Sequence, residues 1–355
     1  MRAASSRVAL ANPKASEASP SPVRPVSVRS RTISHTVRSL ARTGSRSNPV
    51  TRSVGAASSQ RGASAKPAAV PHAARNARRV VGSIRVEGMV SQRINAERVM
   101  LLAWPRAILL QVAHPLVAAG VAAHSTFADG GFAAVHRLWQ TVQAMLALTF
   151  GDEVERQEAI EAILAIHRRV NGELRETVGP FPAGTRYSAE DPDLVLWVHV
   201  TLLESMVLAH DALLAPLGDE ERDAYCAESA WVPAALLARP EEVPTTWAAA
   251  QAYLQRMYAS GTLAVGQDGR AVGQAVLSPP LGPLALPLSA IVRFITRAWL
   301  PEDIRRAYGL SWSEADARRL PRVLKAFRAA RRLMPRRAAQ WSASRGGSQD
   351  PQPRT

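Results

Sequence analysis

Three histidines fall on apolar helical faces, where an imidazole is costly to leave unsatisfied. His167 ends the run Ala-Ile-Leu-Ala-Ile-His, and Ile160, Ile163, Leu164 and Val170 share its face. His199 lies in Leu-Val-Leu-Trp-Val-His-Val-Thr-Leu-Leu, in a stripe with Val195, Leu196, Leu202, Leu203 and Met206. His210 returns to nearly the same face. A neutral imidazole has two ring nitrogens to satisfy where water is scarce. A backbone carbonyl can do this, and that is the purely structural solution. A metal on one nitrogen with a polar partner on the other is the chemical solution. The residues alone leave both open.

Arg168 and Arg169 follow His167 directly and point about 100° and 200° away from it on a helix. Arg168 is the better placed to hold a carboxylate or a developing negative charge beside a site; a solvated helix face is the alternative. His114 precedes Pro115 and His124 follows ten residues later. Histidine before proline disfavours helix at that residue, so His114 marks a break or kink.

The elements that must position these side chains are helices. Apolar residues recur at three and four, Ala and Leu dominate, and alternating strand patterns are nearly absent. The spacing predicts helices near 94–123, 131–150, 152–172, 191–215, 219–238, 245–260, 284–299 and 312–334. Asp191-Pro192 reads as a cap with proline at the first helical position. Ser311 with Glu314 reads as a capping box. Gly179-Pro180-Phe181-Pro182-Ala183-Gly184 reads as a stiff loop between two helices, and Gly261–Pro283 as a Gly/Pro-rich loop.

Of the 355 residues, 47% are hydrophobic, enough for a real core. The formal charge of +15 is carried by the ends. Residues 1–80 alone carry +14 and the last 25 carry +5, which leaves 81–330 at −4. The body therefore gives no support to specific nucleic-acid binding. Residues 1–84 (Ser, Ala, Arg, Pro) and 336–355 are expected to be disordered basic segments around a domain at 85–335. No apolar block follows the first charges, so a secretory signal is not expected and the cytoplasm is the expected location. Ala107–Ala123 and Leu284–Leu300 are apolar, but His114, Pro115, Arg293 and Arg297 interrupt them. Buried core helices are expected, with peripheral membrane contact through the second segment left open.

A single cysteine, Cys226, excludes an internal disulfide framework, a cysteine-built zinc site and a protein-held iron–sulfur cluster. Its polar amphipathic surroundings suggest a packing role. The sequence has no Glu-x-x-His, His-Glu-x-x-His, Gly-x-Ser-x-Gly, Walker or Gly-x-Gly-x-x-Gly motif. Any chemistry falls to histidine, arginine, carboxylates or a borrowed cofactor.

Several strings together resemble one bacterial oxygenase family, DUF2236. They are Ile94–Arg98, Arg106–Ser125 with its Gln-Val-Ala-His-Pro-Leu-Val core, Ala165–Val170, Gly179–Thr185, and Asp191-Pro192 with Leu196–Leu202. The family includes the catalytic domain of latex-clearing rubber oxygenases and the MpaB-type oxygenase that cleaves an isoprenoid chain. The resemblance covers about residues 90–330 and implies an all-α, globin-like multi-helix bundle that binds haem b and uses O2. It implies that His199, in Trp-Val-His-x-Thr, is the metal ligand, with Thr201, His114 and His124 as further cofactor contacts. His167, Arg168 and Arg169 would take the catalytic role opposite the iron. The family's lysine–threonine pair is not retained here. The implied substrate is an apolar small molecule or polyisoprenoid alkene. The rivals are a non-catalytic haem or lipid-like ligand-binding protein, and a non-haem metal enzyme using His114, His124, His167 and His199.

Overall fold

A computed structural model describes residues 89–124, 131–278 and 286–345, the side chains of 131–138 and of 345 excepted. The expectation for residues 1–84 lies outside the described residues. The described residues are all-α apart from one small hairpin.

The structural centre is a 22-residue helix. To reach it, the chain runs through α1 (Val90–Asn95), a 3-10 segment (Arg98–Ala103), α2 (Trp104–Gln111), α3 (Pro115–His124), α4 (Gly131–Phe150) and α5 (Glu153–His167). A hairpin of β1 (Asn171–Glu173) and β2 (Arg186–Ser188) precedes α6 (Pro192–Leu213). Then follow α7 (Asp219–Ser229), α8 (Trp231–Ala235), α9 (Trp247–Ala259), α10 (Gln267–Leu277), α11 (Leu286–Trp299), α12 (Glu302–Ala307), α13 (Glu314–Leu333) and α14 (Arg336–Ala339).

The Asp191 carboxylate caps α6 by accepting from the Asp193 amide, and Pro192 occupies the first turn, as its sequence predicts. Trp197, Val200, Leu203, Val207, Ala209 and Leu213 are fully or almost fully buried along it. Helices α2, α9 and α13 and the 3-10 segment pack around it. Among the described residues, α6 alone is a single helix long and apolar enough to cross a membrane, and most of it is buried inside the protein. Its hydropathy is therefore explained by a core position.

Several expectations change. The helix expected over 94–123 is broken at His114, where the His-Pro step marked a break, and its two parts bend by 112°. The helix expected to reach 172 stops at His167, and the next residues enter the hairpin, with Gly172 opposite Tyr187. The Gly179–Gly184 loop is thus held at its base by strands too short to show a pattern. Gly179 takes a left-handed φ of 56° there. Residues 267–277, read as loop, form α10. The α13 cap is Ser313 with Asp316, not Ser311 with Glu314; the Ser311 carbonyl instead accepts from Arg297 at 2.9 Å.

The end of the chain also differs from expectation. Residues 336–345 are attached to the body. Glu97 binds Arg331 through both carboxylate oxygens and accepts from Gln340 at 2.8 Å. The Trp341 amide donates to the Ala96 carbonyl at 3.0 Å, and Arg98 lies 4.9 Å from the Trp341 ring. Cys226 is fully buried in the core cluster, the packing role its surroundings suggested.

Candidate functional site

His199 sits seven positions into α6. Part of the residue reaches solvent, but its Nε2 is enclosed and has no hydrogen-bond partner. Burial pushes its pKa from 6.5 to about 4, so the ring is neutral at pH 7. Leaving a buried polar nitrogen unpaired costs about 1–3 kcal/mol. The purely structural solution, a carbonyl partner at Nε2, is absent. A neutral ring with an enclosed, unpartnered nitrogen fits the donor that a haem iron requires.

The helix that carries His199 is fixed on both sides. Arg106 of α2, 2% exposed, forms a two-pronged ion pair with Glu204, donates to Ser205 Oγ at 2.6 Å and donates to the Trp299 carbonyl at 2.8 Å. One guanidinium therefore joins α2, α6 and the end of α11. Two residues before His199, the Trp197 Nε1–H donates to the Gln111 carbonyl at 3.2 Å, and its ring meets Tyr258 edge-on. Gln111 Nε2 donates to the Val198 carbonyl at 3.2 Å. Sequence reasoning missed this clamp. The signal was a lone arginine inside Trp-Pro-Arg-Ala-Ile-Leu-Leu, a run otherwise apolar.

The remaining predicted residues divide. His167 ends α5 with an enclosed Nδ1 that has no partner, and burial lowers its pKa. Its helix packs on α4, and through Ile160 and Leu164 on Ala235. Arg168, at the C-cap of α5, and Arg169 are both exposed. Arg169 bonds its own helix at the Ala165 carbonyl.

His114 is a helix cap. Its Nδ1 accepts the Leu116 amide at 3.3 Å, its carbonyl accepts from Ala118, and its ring lies 5.3 Å from that of Phe181. His124 is exposed and bonds the Asn171 carbonyl at 3.1 Å, which ties α3 to the hairpin. Thr201 is fully buried, but its hydroxyl donates back to the Trp197 carbonyl at 2.8 Å. It lies about 200° around α6 from His199, so the two side chains face apart. His210 is satisfied by the Ala215 carbonyl at 2.8 Å. Among the described residues, no three His, Cys, Asp or Glu side chains converge as a metal site, so the four-histidine non-haem arrangement does not form. A groove along α13, lined by Arg318, Arg319, Arg322 and Val323, contains no histidine.

The family described as ER-bound oxygenase mpaB/B'/Rubber oxygenase, catalytic domain, matches residues 92–335. Two mycobacterial proteins are similar: the uncharacterised proteins Rv2237 of Mycobacterium tuberculosis and Mb2261 of Mycobacterium bovis. Each is 28% identical over 235 residues, which is 65% of this chain and 88% of the relative. No solved structure matches.

Proposed function

This chain belongs to the MpaB and rubber oxygenase catalytic-domain family, and from that premise we propose that it is a haem b-dependent oxygenase of an apolar alkene of the isoprenoid class. The chain thus carries an oxygenase domain, an oxidoreductase. The observation that carries the haem assignment is the enclosed, unpartnered Nε2 of a neutral His199.

When bound, haem b supplies the redox-active iron at which dioxygen is used. His199 would hold that iron through Nε2. Its low pKa keeps the nitrogen available as a donor at neutral pH. The Arg106–Glu204 clamp and the Trp197–Gln111 bond fix the helix, and with it the ring. His167, whose enclosed Nδ1 has no partner and whose ring burial keeps neutral, would be the polar group that offers an N–H to developing negative charge. The aliphatic residues of α6 (Val195, Leu196, Leu203, Met206) are buried in the core and keep water from the faces they cover. The overall change is cleavage of a C=C bond by one O2 into two carbonyl groups, which balances without a further reductant.

One rival draws support from the exposure of Arg168 and Arg169. A protein without charge-stabilising donors at the iron would hold haem or a lipid-like ligand without turnover. The test is a visible spectrum with iron analysis on the full chain, expressed with a haem supply. A Soret band with one iron per chain is expected, and it shifts or disappears in His199→Ala. A colourless, iron-free wild type overturns the cofactor assignment. An unchanged band in His199→Ala overturns the ligand assignment. Oxygen uptake with a polyisoprenoid then separates the oxygenase from the ligand-binding rival.

A further inference from the structure

The C-terminal half of α11 belongs to the core: Ile295 and Thr296 are fully buried, and Trp299 is nearly so. Its first two turns do not belong. Leu286, Pro287, Leu288, Ala290 and Ile291 are all exposed, Leu286 by 64% and Leu288 by 58%. No charged residue occurs from Leu286 to Val292. The first charge, Arg293, is turned back onto Ser278 Oγ at 2.7 Å and the Leu277 carbonyl. An apolar helix end projecting into water is unusual in a monomer and marks a contact surface.

The neighbouring helix is strongly basic. Along α13, Arg318, Arg322, Lys325 and Arg332 recur at intervals that place them on one face, and all are exposed. The acids of α13 lie in its first turn: Glu314 pairs with Arg318 and Asp316 with Arg297. Beyond that turn, Arg322, Lys325 and Arg332 have no acid on their own helix. Two contacts fix the relative direction of the helices. Arg297 meets Asp316 at 3.0 Å, and Arg319 lies 5.8 Å from the Phe294 ring. Stepping back along α11 therefore corresponds to stepping forward along α13. The bare end of α11 points the same way as Arg322 and Lys325.

We infer that α11 and α13 form a peripheral docking surface for an anionic lipid bilayer, with Leu286, Leu288 and Ile291 entering the acyl boundary and the α13 stripe facing the headgroups. Charge complementarity selects this partner, because the apolar projection and the cationic stripe match a surface that is greasy below and negative above. A nucleic acid would use the stripe and leave the leucines in water. A second copy would bring the same positive stripe against itself.

Residues 1–80 carry +14 and would bind anionic vesicles by charge alone, so simple co-sedimentation does not test the surface. A local probe does. Cys226 is fully buried and its thiol is pushed up to about 12, so it resists labelling. Full-length Leu288→Cys is labelled with an environment-sensitive fluorophore, with Glu158→Cys as an exposed control. On phosphatidylglycerol vesicles, the label at 288 should brighten several-fold and shift to the blue, with little response on phosphatidylcholine or at position 158. Replacing Arg318, Arg322, Lys325 and Arg332 with Gln should raise the lipid needed by roughly tenfold or more. An unchanged label while the protein co-sediments overturns the proposal, since the tail alone then binds. A label response that follows protein concentration without lipid assigns the surface to self-association. A stripe-dependent DNA complex with no vesicle response assigns it to nucleic acid.

Discussion

The bend at His114 depends on the ring staying neutral, and this gives it a defined response to acid. Nδ1 accepts the Leu116 amide, and a protonated nitrogen cannot accept. Burial holds the ring at a pKa of about 4 against 6.5 when free. The folded chain therefore binds fewer protons than the unfolded chain as pH falls. The stability from this group is fully present above about pH 6.5 and is lost as the pH falls toward 4. Between pH 8 and pH 4.5, linkage with those two values gives a loss of about 2.5 kcal/mol. His114→Asn keeps a capping oxygen for the Leu116 amide but cannot titrate. Urea unfolding of both proteins at the two pH values isolates the effect, because every other titrating group is common to them. The variant is expected to start somewhat less stable at pH 8, having lost the ring beside Phe181, and then to lose about 2.5 kcal/mol less than wild type on acidification. Equal losses in the two proteins would refute the neutral-cap reasoning.

Two other perturbations test how the elements are held. Arg106→Ala leaves the Glu204 carboxylate, Ser205 Oγ and the Trp299 carbonyl without their shared donor, and should destabilise by about 3–5 kcal/mol in denaturant unfolding. Arg106→Ala combined with Glu204→Ala should cost less than the sum of the two single changes, and strict additivity counts against the clamp. Glu97→Ala removes the carboxylate that joins Arg331 to Gln340 and should cost about 1.5–3 kcal/mol locally. Tryptic cleavage at Arg336 and Arg337 should accelerate several-fold, while the core transition measured by near-ultraviolet dichroism moves little. An unchanged cleavage rate counts against that attachment.

The all-α body was legible because a 3.6-residue apolar period is a local signal, and Asp191-Pro192 marked the start of α6 to the residue. Helix α10 was hidden by its own glycines. Gly269 and Gly273 lower helix propensity and read as loop. Both stand at close approaches, since a Cβ at 269 would lie 2.8 Å from the Val112 carbonyl and one at 273 would lie 2.9 Å from the Tyr308 ring. Long-range packing of α10 on α2 and α3 overrides local preference there. The hairpin was hidden by strands of three residues, fewer than an alternation needs to declare itself.

The candidate site divides along the same line. His199 was visible because its requirement, an imidazole on an apolar stripe, is written within ten residues. The end of α5 was misread because its apolar stripe was extended through Val170, whereas the helix stops at His167 and leaves Arg168 and Arg169 exposed beyond it. Arg106 was missed because its partners lie about a hundred or more residues away, and no local pattern names them. The two kinds of residue differ in what the fold does with them. Thr201, His210, His114 and His124 are polar groups that the fold satisfies with its own backbone, so each is explained without a ligand. His199 sits on a helix held by the Arg106–Glu204 ion pair and is left with an enclosed nitrogen that has no partner, as is Nδ1 of His167. A helix clamped by a buried guanidinium resists turning that nitrogen to water, so an unpaired Nε2 keeps its cost of about 1–3 kcal/mol, which a ligand to it would remove.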